Sequence, residues 1–193
     1  YNTTPIILSK MGLNVKTLNS QPDGNFPGRP PEPTEENLTL LKETVKNVNA
    51  DIGIAHDGDA DRMVAVDDQG RVARPDDLLA LFVQFLAKSG DKVVTTVDAS
   101  SVIDAKAGEK KVQVVRTKVG DVHVARACKR ENAILGGEPC GTLIYPPIHL
   151  APDGIIAAIL LLKMLEDARK PLSALIDNLP KFFISRDKVP CPQ

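Results

Sequence analysis

Three carboxylates stand at alternate positions in the run Asp57-Gly58-Asp59-Ala60-Asp61-Arg62. Gly58 and Ala60 add no bulk between them, and in an extended loop this spacing points all three side chains to one side. Anions held so close repel one another unless a cation neutralises them. An all-oxygen donor set calls for a hard divalent ion, and Mg2+ suits a site that also meets phosphate. A calcium-binding EF-hand loop needs glycine at its sixth position and usually glutamate at its twelfth, where this chain has Arg62 and Asp68. A phosphatase using Asp57 as its nucleophile stays open at this point. So does a solvated hairpin tip, since turns favour Asp and Gly.

A second polar turn, Gly136-Gly137-Glu138-Pro139-Cys140-Gly141, lies between two short apolar runs. Glycines on both sides permit tight turns and are expected to thrust Glu138 forward on a short neck. An ionised glutamate accepts hydrogen bonds from two neighbouring hydroxyls, the pattern a sugar ring presents, while an ordinary glycine-rich turn stays open as the plainer reading. Between the two motifs, Thr117-Lys118-Val119-Gly120-Asp121 falls where a strand gives way to a helix, so backbone amides and Lys118 could meet an anion there, or Asp121 could simply cap the helix. His56, His123 and His149 stand alone; Mg2+ sites seldom use imidazole, which favours strand-end or supporting roles for them.

The elements that must position these residues follow from periodicity and punctuation. Thr4-Pro5 opens a helix through Met11, stopped by Gly12, and a strand is expected at Val15 to Leu18. Residues Gln21 to Thr34 hold five prolines and two glycines, which rules out a helix or a central strand and predicts an extended loop. Thr34 is expected to cap a helix whose Leu38, Leu41, Val45 and Val48 share a face, after which Ile52 and Ile54 alternate as a strand that leads into the acidic run. Met63 to Val66 resumes the strand, Asp67 to Gly70 turns it, and Pro75 opens an apolar helix to Leu86. Strands at Lys92–Val97, Val112–Val115, Ala133–Leu135 and Thr142–Tyr145 then alternate with helices near Ser101, at Asp121–Arg130, Asp153–Ala168 and Leu172–Leu179, and Phe182–Ile184 reads as a further strand. Such alternation argues α/β layers, with a domain boundary near Gly70 to Pro75.

The 193 residues carry 24 Lys and Arg against 25 Asp and Glu, so no global field draws a nucleic acid, and any phosphate recognition must be local. The longest apolar run, Ile155 to Leu162, is far short of the ~20 residues needed to cross a bilayer, so no membrane partner is expected. Cys128, Cys140 and Cys191 form neither a zinc site nor a small disulfide framework and read as reduced thiols of a cytoplasmic protein. Tyr1 is not an initiator methionine, and the start is expected to be missing.

DGDADR at residues 57–62 resembles the metal-binding loop of the alpha-D-phosphohexomutases, the family of phosphoglucomutase, phosphomannomutase and phosphoglucosamine mutase. About 80 residues later, GEPCG resembles the family's GE-x-S-G sugar-binding loop, with Cys140 in place of the usual serine. Thr117 to Asp121 resembles its T-x-x-G-(D/H) loop, and DGNFPGRPPEPTEENL resembles a stretch of its second domain whose role reads as structural. The resemblance implies that Asp57, Asp59 and Asp61 hold Mg2+, that Arg62 and Lys118 contact phosphate, and that Glu138, Cys140 and Gly120 meet the sugar. It implies two consecutive three-layer α/β/α domains with mixed sheets: residues 1–72 as most of domain 2, 73–180 as domain 3, and 181–193 as the start of domain 4. The activity implied is interconversion of hexose 1-phosphate and 6-phosphate through an enzyme phosphoserine and a sugar bisphosphate. No TASHNP-like serine motif occurs in these residues, so domains 1 and 4 of the same polypeptide are the expected partners, and the piece alone is expected to fold and bind Mg2+ weakly without turnover. A metal-dependent sugar phosphatase and a non-catalytic sugar-phosphate-binding module remain the alternatives.

Overall fold

The computed structural model describes residues 2–185. Helix α1 (Thr3–Lys10) carries Pro5 in its first turn and ends where Met11 and Gly12 return their amides to the Ile7 and Ser9 carbonyls. Val15 to Leu18 is not a strand: the segment is irregular, Leu18 is exposed, and no described strand lies alongside to complete a ladder. The proline-rich segment is irregular, as its missing amide donors require. Thr34 does not cap the next helix. The chain first makes a 3-10 turn at Glu36–Leu38, with the Asn37 amide on the Thr34 carbonyl, and α2 runs Thr39–Val48. Leu38 and Val45 are buried, but Val48 is exposed because α2 ends beside it at Asn49 in the left-handed conformation.

Strands β1 (Gly53–His56) and β2 (Met63–Val66) form an antiparallel hairpin in which His56 faces Met63, so the acidic run is the hairpin's connecting loop. Both faces of β2 are covered, since Val64 and Val66 pack with Leu38 and Val45 of the α2 side while Met63 and Ala65 join the main core. The turn after β2 brings the chain back along it, with the Ala73 amide on the Ala65 carbonyl.

Helix α3 (Pro75–Leu86) then leads into β3 (Lys92–Thr96), α4 (Val102–Glu109), β4 (Gln113–Thr117), α5 (Asp121–Glu131), β5 (Leu135–Gly137), β6 (Leu143–Ile144), α6 (Gly154–Ala168) and α7 (Leu172–Asp177). The sheet order is β4-β3-β5-β6, with β3 parallel to β4 and β5, and β6 antiparallel to β5. Val93 points into the core shared with α3, α4, α6 and α7, while its neighbour Val94 points to Val124, Ala127 and Cys128 of α5. Helices thus cover both faces, giving the mixed-sheet α/β/α sandwich that alternation predicts. No helix of the described residues is long and apolar enough to cross a membrane.

The boundary expected near Gly70 to Pro75 is crossed by many contacts. Met63 and Ala65 share one apolar cluster with Leu78, Leu79 and Phe82. The Asp68 carboxylate accepts from the Ser173 amide at 3.1 Å and its hydroxyl at 2.9 Å, and Arg71 holds both Asp67 and Asp177. Phe182 to Ile184 is not a strand: residues 181–185 are irregular, and Phe183 is fully exposed among the described residues. Most of the segment expected to begin a further domain, 181–193, lies outside the described residues.

Candidate metal centre and its neighbouring loop

The hairpin loop gathers the three aspartates: one carboxylate oxygen from each of Asp57, Asp59 and Asp61 lies within 4.8 Å of the others. The Asp57 side chain is 4% exposed and is tied at both oxygens, Oδ1 accepting from the Arg62 amide at 3.2 Å and Oδ2 from Arg62 Nε at 2.6 Å. Burial alone would raise its pKa, but these bonds and the charge of Arg62 outweigh it and hold Asp57 below the usual carboxylate range. Asp61 goes the other way. Partial burial, a hydrogen bond shared with Asp57 and the charges of Asp57 and Asp59 push it up to about 6. Neighbouring carboxylates drive one another's titrations apart in this way, and a cation held among them would offset the rise. The donors are all hard oxygens, and His56, the nearest imidazole, is committed elsewhere, with Nδ1–H donating to the Arg62 carbonyl and Nε2 accepting from the Thr4 hydroxyl. This donor set fits Mg2+. With both oxygens already accepting and its side chain covered, Asp57 is poorly placed to attack a phosphorus atom.

Arg62 is the hinge between the two sequence motifs. Its backbone bridges Thr142, and the next amide, Met63, donates to the Gly141 carbonyl at 3.1 Å. The acidic loop and the GEPCG loop are therefore joined edge to edge. Gly141 makes this possible, since it sits at φ +98° and a Cβ there would lie 2.8 Å from the Met63 carbonyl oxygen. Helix α6 closes the loop from the other side. Its first residue, Gly154, donates to the Ala60 carbonyl at 3.1 Å, while Asp153 caps the helix by accepting from the Ile155 and Ile156 amides at 2.8 Å. His149 Nδ1 accepts from the Ala151 amide and its Nε2–H donates to Asp153 at 3.1 Å, so this histidine steadies the cap.

Glu138 departs from expectation. It does not project on a neck but is 6% exposed, because Gly136 and Gly137 belong to β5 and serve close packing, the one against Cys128 and Val124, the other against Leu79. Glu138 Oε1 accepts from the Gly120 amide at 2.7 Å. Burial pushes its pKa up; the Gly120 bond opposes this, and Asp121 and Asp98 add to the rise. The structure thus brings Glu138 and Gly120 together at the carboxyl ends of parallel strands β4 and β5, where ligands bind in open α/β sheets. Cys140 is exposed, its Sγ 3.2 Å from the Thr142 hydroxyl. Lys118 is exposed on the same loop as Gly120.

Sequence reasoning missed the proline-rich segment, which lies against the acidic loop at three points. Arg29 donates to the His56 carbonyl, Phe26 and Pro31 pass over Gly58, and Glu32 grips the guanidinium of Arg62 with Oε1–Nη1 at 2.6 Å and Oε2–Nη2 at 2.8 Å. Only the absence of a Cβ at Gly58, beside Pro31, hints at this contact in the sequence.

Comparison with known proteins bears on the fold and the family. Residues 1–70 match the family model for phosphoglucomutase/phosphomannomutase alpha/beta/alpha domain II, and residues 74–183 that for domain III. A "Probable phosphoglucosamine mutase" of Methanothermobacter thermautotrophicus is 53% identical over 98% of this chain and 41% of its own length. A phosphoglucosamine mutase of Methanococcus maripaludis is 48% identical over 98% of this chain and 44% of its own. The chain thus spans less than half the length of these relatives. The crystal structure of a phosphoglucomutase/phosphomannomutase family protein from Burkholderia thailandensis superposes with a TM-score of 0.87 at 28% identity, over 92% of this chain and 40% of that one.

Proposed function

Since this chain belongs to the phosphoglucomutase/phosphomannomutase family, we propose that it supplies the metal-binding and sugar-binding loops of a mutase that interconverts a hexose 1-phosphate and 6-phosphate. Glucosamine is the favoured sugar, on the names its relatives carry. The observation that carries the reading is the junction of the two loops: the Asp57–Asp59–Asp61 cluster ends in Arg62, which pairs directly with Thr142 beside the Glu138 turn. A divalent ion and a sugar contact would thereby be held on one joined edge. Residues 1–72 would be most of domain 2 and 73–180 domain 3. Domains 1 and 4 of the same polypeptide would bring the phosphoserine and the remaining phosphate contacts, so these 193 residues alone would fold without turning over.

Asp57, Asp59 and Asp61 would hold Mg2+, which when bound offsets the negative charge that builds on a transferring phosphoryl group. Arg62 would bind phosphate through its planar fork, and Lys118 as a mobile point charge. Glu138, with Oε1 fixed on Gly120, would offer its second oxygen to sugar hydroxyls, and a donor there relieves part of the expense of its burial. Glu138 and Gly120 would move together, so that sugar binding reports to the Lys118 loop. Cys140, facing the same edge, would contact the sugar more weakly than a serine, since a thiol is a poorer donor.

The test is a coupled assay on the intact polypeptide that carries all four domains, with glucosamine, mannose and glucose phosphates, Mg2+ and catalytic sugar bisphosphate. Interconversion of 1- and 6-phosphates that disappears in Asp59→Asn supports the mutase. Steady phosphate release without interconversion would establish a phosphatase instead.

A further inference from the structure

Resting on the reading of Arg62 as a phosphate contact, we propose that Glu32 is an internal anion holding the phosphate's place on the Arg62 fork, and that a phosphate-bearing ligand enters by displacing it and lifting the proline-rich strap. Two oxygens of one planar anion meet the two terminal nitrogens of the guanidinium, at 2.6 and 2.8 Å. That is the fork geometry by which arginine takes phosphate. The remaining inner edge of Arg62 is already committed, Nε lying 2.6 Å from Asp57 Oδ2. A phosphate and Glu32 therefore compete for the same pair of donors.

The strap is built to yield as a piece. Arg29 donates to the Pro30 and Pro31 carbonyls, and the Glu32 carbonyl accepts from the Thr34 amide and Asn37 Nδ2, so residues 29–37 carry their own hydrogen bonds. Pro30, Pro31 and Pro33 restrict what the backbone can do once released, so lifting it gains and loses little chain entropy. Glu32 is half exposed, which keeps its bond to Arg62 weak enough to be exchanged. It also borders a cleft of about 290 Å³ lined by Pro33, Val64, Arg74 and Cys140, which gives the displaced carboxylate room to turn. In the empty site the carboxylate keeps the guanidinium charge balanced and its fork aimed, so Arg62 is ordered before the ligand arrives.

The experiment titrates inorganic phosphate into the protein at constant ionic strength, followed by 31P NMR, for wild type, Glu32→Gln, Glu35→Gln and Arg62→Gln. Glu35 sits three residues away, paired with Lys42, and its variant removes one negative charge without touching the fork. Glu32→Gln is expected to bind phosphate about five-fold more tightly, as when a fork free for about a fifth of the time becomes free throughout. Glu35→Gln should change little. In wild type, phosphate should shift the Gly58 amide resonance, because Phe26 and Pro31 of the strap pass over that residue. Equal or weaker binding in Glu32→Gln, or an equal gain in Glu35→Gln, would overturn the proposal while leaving Arg62 a phosphate contact. Unchanged binding in Arg62→Gln would remove the phosphate role of Arg62 itself, and the proposal with it.

Discussion

Asp57 and Asp61 share a loop and a side-chain type, yet the loop drives their titrations apart, and the difference is measurable. Asp61, pushed up to about 6, holds a proton through a window in which the same residue of the unfolded chain has already lost it. Stability therefore falls as pH rises from about 4 to about 6, because the folded state binds more protons there. A bound divalent ion expels that proton, so metal affinity climbs through the same window and levels off above it. Thermal melts of wild type and Asp61→Asn across pH 4 to 7 check this: the pH-dependent difference between them should be present without Mg2+ and vanish with it. A constant difference would show that Asp61 titrates normally. That the three aspartates gather on one side was legible from spacing alone, since alternate side chains of an extended loop point the same way. Glu138 was legible as a residue but not in its pose. Glycine signals both turns and close packing, and for Gly136 and Gly137 the neighbours that decide between them, Cys128, Val124 and Leu79, are far away in sequence.

At the scale of elements, helix α6 and the acidic loop are pressed together with no room for a side chain between them. An alanine at Gly154 would run its Cβ into the Arg62 carbonyl and within 2.8 Å of the Ala60 oxygen, both backbone atoms that cannot turn aside. Gly154→Ala should therefore destabilise the fold by about 2 kcal/mol or more, in the range of overpacked sites, and should also weaken the proposed Mg2+ binding by shifting Ala60 between Asp59 and Asp61. Urea denaturation and a Mg2+ titration of the variant check both effects. A stable variant with normal Mg2+ affinity would mean that α6 does not buttress the loop. The start of α6 was readable, because Asp153 before Gly154 and a long apolar run is a capped helix. Val15 to Leu18 was misread because alternation marks a chain able to be a strand, whereas a strand also needs a free neighbouring edge, which the pattern does not record. Val48 was misplaced for a related reason: a helical stripe tells which residues share a face, and not where the supporting core stops.

Across the whole molecule, one apolar cluster runs from the hairpin through Leu78, Leu79 and Leu161, so the two halves read from sequence should open together. Amide hydrogen exchange is expected to give the same opening free energy for Val64 in β2 and Val93 in β3. A markedly lower value for β2 would mean that the halves part at the Gly70–Pro75 stretch. The layered architecture could be seen in advance, since each element carries its own local pattern. The strap could not, because Glu32 and Arg62 are 30 positions apart and nothing in either residue's surroundings names the other. Distance along the chain has one further outcome. The residue that bridges Arg62 at the end of the hairpin loop, Thr142, is made about 80 residues later, which at 5–20 residues per second leaves a newly made β2 waiting roughly 4–16 s for its neighbour. During that interval the Val66 end of β2 is already covered by Val72 and Ala73 but Met63 lacks its neighbour, and the strand is flanked by Asp57, Asp59 and Asp61 on one side and Asp67 and Asp68 on the other. Charges in that position act as gatekeepers against pairing with other nascent chains. The carboxylates proposed to hold Mg2+ thus have an earlier part to play, as a guard on the strand they precede.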